Sequence, residues 1–149
     1  EENKKYVYEL NRLVVDDGLP KNTLSRFVSK CLKQLKEQDL IVVSFADEGK
    51  GHHGYIYQAT NWLYTGKTKQ YSGKNKHSRH YDESMNHLRK VRTSKHRYVY
   101  FTGKSKKLFL SDLNYSIEPY PKGENSKYKL GTRLKEKIIN TRDNLTYME

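Results

Sequence analysis

The chain has 149 residues, of which 34% are hydrophobic and 31% charged, with a mean hydropathy of -1.02. That length holds one ordinary domain. No apolar run approaches the roughly 20 residues of a membrane helix, no charged-then-apolar leader opens the chain, and the single cysteine, Cys31, excludes an internal disulfide or a CxxC zinc site. A soluble, intracellular protein, cytoplasmic in location, is expected. The first residue is Glu1, not Met, at the edge of a strand pattern, so the chain is expected to be part of a longer protein. Lys and Arg number 29 against 17 acids, and 29 − 17 = +12. Thirteen of those cations and only two acids fall between Lys67 and Lys107, a net +11 in one segment. An excess of that kind points to a polyanionic partner, because each cation set on a phosphate releases a condensed counterion.

In chain order, Tyr6 to Val15 reads as a strand by its aromatic and β-branched content. Asp16, Asp17 and Gly18 turn the chain, and Leu24, Phe27, Val28, Cys31, Leu32 and Leu35 mark one face of a helix, with Asn22 or Thr23 as its N-cap. Leu40 to Ala46 (LIVVSFA) is a continuous apolar run of strand length, expected at the centre of a sheet and covered on both faces. Strand, helix and strand make a βαβ unit with parallel strands. The loop Asp47 to Gly54 leaves the carboxyl end of the central strand, where open α/β sheets gather ligands. Tyr55 to Asn61 reads as a short helix, Trp62 to Tyr71 as a strand, residues 96–102 as another, and Lys107 to Asn114 as a short helix or turn. The reading places a basic insertion at about 71–95 and a polar tail at about 122–149, in which Arg133 to Ile139 forms a helical turn or two, all within one domain spanning 1–149. No internal repeat is visible.

Several motifs occur in an order that resembles the Mom-type DNA modification proteins of bacteriophages: ELNRLVV (Glu9 to Val15), LPKNTLSRF (Leu19 to Phe27), VVSFAD (Val42 to Asp47), GHHGYIYQATNWLYTG (Gly51 to Gly66), KHRYVYF (Lys95 to Phe101) and IEPYPKGEN (Ile117 to Asn125). The resemblance implies an α/β, GNAT-like fold: a mixed central sheet with flanking helices, here without some of its N-terminal strands and helices. It implies an enzyme that converts the exocyclic amine of adenine in double-stranded DNA to a methylcarbamoyl-type derivative, protecting the DNA from host restriction, and ferrous iron as cofactor. By position, Arg12, Ser25, Asp47 and Tyr57 match residues the family needs, with Asp47 as the iron-site carboxylate. The family's site also draws on a His-Tyr pair nearer its amino terminus, and His80-Tyr81, which follows the core motifs, is not equated with it. LPKNTLSRF lacks the RxxGxG pattern that holds the pyrophosphate of acetyl-CoA, so the residues do not support that donor. A non-catalytic GNAT-like DNA-binding module, and after it an ordinary N-acetyltransferase, stand as alternatives.

Each candidate also has a plainer reading. Asp47 before His52 and His53 offers the carboxylate and imidazole mixture of non-heme iron, or a solvated turn; the resemblance favours the first for Asp47 and leaves both histidines open. Ser25 in the first helical turn meets an anion at exposed amides, or caps the helix. Arg12 binds a phosphate, a substrate carboxylate or Asp47, or lies on a solvated sheet face. Tyr55, Tyr57, Trp62 and Tyr64 stack on an extruded base or pack the core, and core is the better reading for Trp62 and Tyr64. Lys67, Lys69, Arg79, Arg89, Lys90, Arg92, Lys95 and Arg97, interleaved with Tyr71, His77, His80, Tyr81, His87 and Tyr98, suit a phosphate backbone beside exposed bases.

Overall fold

The computed structural model describes residues 2–73, 82–129 and 131–148. Arg79, with Lys74, Lys76, His77, His80 and Tyr81, lies outside the described residues. Among the described residues the fold is mixed α/β with two four-stranded sheets. The first contains β1 (Val7–Glu9), β2 (Ile41–Asp47), β6 (Lys95–Phe101) and β3 (Leu63–Lys67), in that spatial order. Helix α1 (Thr23–Gln34) connects β1 to β2, which are parallel, and β2–β6 and β6–β3 are antiparallel. The expected βαβ unit and the central position of β2 are therefore present.

The strand expected over Tyr6 to Val15 is shorter. Its ladder ends with the Leu10 N–H bonding the Val43 carbonyl at 2.9 Å. Leu10 and Leu13 then pack on the hydrophobic core under α1 instead of continuing the edge strand. Arg12 consequently sits in an irregular, exposed stretch, not in a strand. The capping expectation also fails. Asn22 adopts φ 68° and makes no side-chain cap, while Thr23 Oγ1 donates to the Pro20 carbonyl at 2.7 Å, so neither side chain accepts from the first turn.

Residues 62–71 do not form one strand. Gly66, at φ +81°, interrupts the β3 register between Tyr64 and Lys67, and β4 (Tyr71–Gly73) belongs to the other sheet. That second sheet runs β4, β5 (Leu88–Arg92), β7 (Lys137–Asn140) and β8 (Thr146–Met148), all antiparallel. The helical turn expected at Arg133 to Ile139 is instead a strand from Lys137. Ile138 and Ile139 pair with β5 on one side and β8 on the other, and this long-range pairing overrides the local helical pattern. The basic insertion and the polar tail thus build one sheet together.

Strand parity divides the first sheet into two faces. Val42, Ser44 and Ala46 of β2 are buried beneath α1 and the short helix α2 (Tyr55–Ala59), with Val28, Leu32, Tyr57, Trp62, Tyr64 and Tyr98 completing that core. On the other face Val99 and Phe101 pack with Phe109 of α3 (Lys106–Ser111), and Ile41, Val43 and Leu63 border them. The opposite face of β2 is half-buried along its length rather than closed. Trp62 is 0% exposed and stacks edge-on to Tyr57 at 5.1 Å, a pair at the favoured tilted geometry. Among the described residues no helix is long and apolar enough to cross a membrane.

Candidate functional site

Asp47 ends β2 on the face shared with Phe45 and Val43. Its Oδ1 accepts the Gly49 N–H at 3.0 Å and the Thr93 hydroxyl at 2.5 Å, which fix the carboxylate in the lining of a cleft of about 560 Å³. The cleft lies between the two sheets. Phe45 and Glu9 come from the first, and Tyr71, Lys90 and Arg92 from the second. Lys50 and Lys95 flank Asp47, while Lys135, Glu136, Lys137 and Met148 supply the wall made by the tail. Six cations against three carboxylates line this space, and one of those carboxylates, Glu136, is paired with Lys90. The excess of cations over carboxylates suits an anionic ligand.

Tyr57 lies elsewhere. It is buried in α2, and its hydroxyl is 2.7 Å from Ser44 Oγ, which is itself 2.7 Å from the Leu10 carbonyl. That carbonyl only accepts, so Ser44 donates to it and Tyr57 donates to Ser44. Burial pushes the Tyr57 phenol up, with the Ser44 bond opposing the shift. Ser25 is in the first turn of α1, where its Oγ donates to the Asn22 carbonyl at 3.0 Å beside a shallow groove of residues 15–25, Tyr55 and Ile56. The four positions expected to form one site therefore do not converge: Asp47 faces the cleft, Tyr57 the opposite core, Ser25 the helix start, and Arg12 solvent.

Of the expected phosphate contacts, several are already engaged. Arg97 donates to Thr65 Oγ1 at 2.9 Å and to the Thr65 carbonyl at 2.8 Å, with its guanidinium 3.4 Å from the Tyr115 ring centroid. Lys67 pairs with Glu48 at 3.0 Å, Arg89 donates to the Asn86 and Leu88 carbonyls, and Lys90 pairs with Glu136. Arg92 lies over the Tyr71 ring at 5.7 Å, and Lys69 and Lys95 are exposed. The Ser94 hydroxyl, then Lys67, hold the Glu48 carboxyl below its ordinary range.

A second polar cluster sits under the 117–126 segment, on the Tyr57 side. Tyr98 donates to the His53 carbonyl at 2.5 Å and accepts from Gln58 at 3.0 Å; burial pushes its phenol up to about 12. Gly54, at φ +80°, sits so close that a Cβ there would be 2.4 Å from the Tyr98 ring. Gln58 also donates to the Pro121 carbonyl at 3.2 Å, Tyr120 to the Trp62 carbonyl at 2.6 Å, and the His53 N–H to Asn125 at 2.6 Å. The IEPYPKGEN motif is thus a strap fastened over the start of α2. His96 is 3% exposed and burial pushes its imidazole down, while Tyr64 OH lies 3.0 Å from its Nδ1.

Ser44, Thr93 and His96 were missed by the sequence reading. Ser44 had a signal, a lone hydroxyl inside an apolar run; Thr93 had none, because only the fold brings it to Asp47. His52 packs edge-on against Tyr128 at 5.7 Å, and its N–H bonds the Asp47 carbonyl at 3.1 Å. Among the described residues no group of three or more His, Cys, Asp or Glu side chains is placed to hold a metal ion.

The fold and cleft define a mixed α/β protein with a basic cleft, in which the Asp47 carboxylate is fixed by Gly49 and Thr93. Its relatives narrow that class: the profile of the Mom protein family matches residues 1–122, and the chain belongs to that family. A curated relative, methylcarbamoylase mom of Escherichia phage Mu, is 28% identical over 141 aligned residues, covering 81% of this chain. The chain spans 58% of that relative's length.

Proposed function

We propose that this chain takes part in DNA modification, transferring a methylcarbamoyl-type group to the exocyclic amine of an adenine, as a phage-encoded activity in the host cytoplasm. Family membership supports the reaction class, and the observation that carries the site is Asp47, fixed by Thr93 and Gly49 in the lining of a cation-rich cleft. A base in a duplex must leave the stack to be modified. In this reading Phe45 and Tyr71 border the extruded base, and Lys50, Lys95, Lys135 and Lys137 hold the flanking phosphates. The adenine nitrogen forms the new bond to the carbonyl carbon, the donor's leaving group departs with its electron pair, and the Asp47 carboxylate receives the amine proton. The parallel β1–α1–β2 unit beside antiparallel β6 and β3 supports a GNAT-like relationship.

Iron fits less well. Asp47 offers one carboxylate, and the described residues do not complete a ferrous site around it. No step is therefore routed through iron. Nucleoside mass spectrometry of plasmid DNA from cells expressing the chain tests the reading, with a heavier adenine nucleoside as the expected result. The second reading, a non-catalytic DNA-binding module, is favoured by one observation, that Asp47 and Tyr57 face opposite sides of the sheet. Unaltered adenine together with salt-sensitive DNA binding selects it.

A further inference from the structure

His53 and His96 approach to 5.5 Å between ring centroids, on the sheet face opposite the Asp47 cleft. His96 projects from β6, and His53 from the loop that opens α2. The His53 Nδ1 and His96 Nε2 atoms are both buried without a hydrogen-bond partner. Among the described residues Trp62 Nε1 and His87 Nδ1 share that status, but His53 and His96 are the two whose rings are in contact, which places both orphans beside one space. Two imidazoles on one tetrahedral ion, bonded at about 2.0–2.1 Å, have ring centroids roughly 5 Å apart; the separation here matches that geometry.

The surroundings suit the same ligand. In the tautomer that carries its proton on Nδ1, donated to the Tyr64 oxygen 3.0 Å away, His96 presents a lone pair at Nε2, and outer partners fix the tautomer of ligating histidines in this way. The strap closes the other side: a Cβ on Gly123 would lie 2.7 Å from His53 Nε2, and Asn125 holds the His53 backbone. Glu48, paired with Lys67 at 3.0 Å, and Glu118, whose carboxylate would meet a Cβ on Gly66 at 2.7 Å, stand nearby, and Arg97 also acts on Tyr64. Imidazole nitrogens suit zinc and its neighbours in the first transition row.

We propose that His53 Nδ1 and His96 Nε2 together bind one borderline divalent transition ion, with solvent oxygens in its remaining positions. The proposal does not rest on DNA modification and concerns a place separate from Asp47. The test is calorimetric titration of the chelator-treated, folded chain with Zn²⁺, and with Co²⁺ for its visible absorption bands. Uptake of one equivalent is expected, lost in His53→Ala and His96→Gln, weakened roughly 10–100-fold in Tyr64→Phe, and unchanged in Asp47→Asn. Circular dichroism establishes that each variant is folded; if His96→Gln is not, His53→Ala decides, since His53 is half-exposed. No stoichiometric uptake by the folded chain, as expected if water alone bridges the two rings, overturns the proposal, as does uptake that survives His53→Ala.

Discussion

Ser44 and Asp47 stand three residues apart on β2 and face opposite sides of the first sheet, Ser44 bonding the Tyr57 hydroxyl in the core and Asp47 bonding Thr93 at the cleft. The odd spacing makes this unavoidable in a regular strand. Two positions that the family resemblance joins, Asp47 and Tyr57, therefore lie on opposite faces: Tyr57 bonds Ser44 in the core, and Asp47 lines the cleft.

The core half of that division predicts an order of stabilities. Tyr57→Phe removes one donor and leaves Ser44 still bonded to Leu10, at about 1 kcal/mol. Ser44→Ala strands both the Tyr57 hydroxyl and the Leu10 carbonyl in a buried setting, at roughly 1–3 kcal/mol. Urea unfolding is expected to rank Ser44→Ala below Tyr57→Phe; the reverse order contradicts the hydrogen-bond chain described here.

The basic residues separate into structural and binding groups. Arg97→Ala loses two bonds to Thr65 and the Tyr115 stack, so it is expected to lower stability by roughly 1–2 kcal/mol. Lys95→Ala and Lys137→Ala are expected to leave the melting temperature unchanged and to weaken DNA binding. Each lost phosphate contact flattens the dependence of log affinity on log salt by about 0.9, read by fluorescence anisotropy across a salt series.

Much of the first sheet was legible in the residues. The 3.6-residue spacing of Leu24, Val28 and Leu32 and the apolar run before Asp47 each locate an element, because local burial sets those patterns. The second sheet was not legible. Its strands LRKVR and KIIN are short and charged or bordered by charge, and they exist through pairing between residues about 50 positions apart, such as Leu88 with Asn140. For the same reason the cleft could not be read: one wall comes from a tail that by itself reads as polar chain with a helical turn or two at Arg133 to Ile139. Asp47 was found through the resemblance, whereas the histidine pair needed the fold, since His53 and His96 lie on different elements.

Acid sensitivity has an identifiable source at the start of α3. Asp39 accepts the Ser105 N–H at 2.9 Å and the Ser105 hydroxyl at 2.8 Å, and these bonds, the backbone one first, hold its carboxyl below the ordinary range. A depressed folded-state value means that the contribution is fully present above the unfolded value, about pH 4, and is lost as pH falls through the folded value. Asp39→Asn is expected to flatten stability against pH in that acidic window while changing nothing between pH 6 and 8 in its slope. A wild-type slope below pH 4 in the variant rules Asp39 out as the source.

The most direct test of the cleft assignment compares the wild-type chain with Asp47→Asn, which keeps a side-chain oxygen for Gly49 and Thr93. Nucleoside mass spectrometry is run on DNA from cells expressing each, with DNA affinity measured on the purified proteins. Modified adenine with the wild type alone, at affinities within about twofold, is the predicted result. Equal modification by both chains, or none with the wild type, contradicts the placing of the chemistry at Asp47.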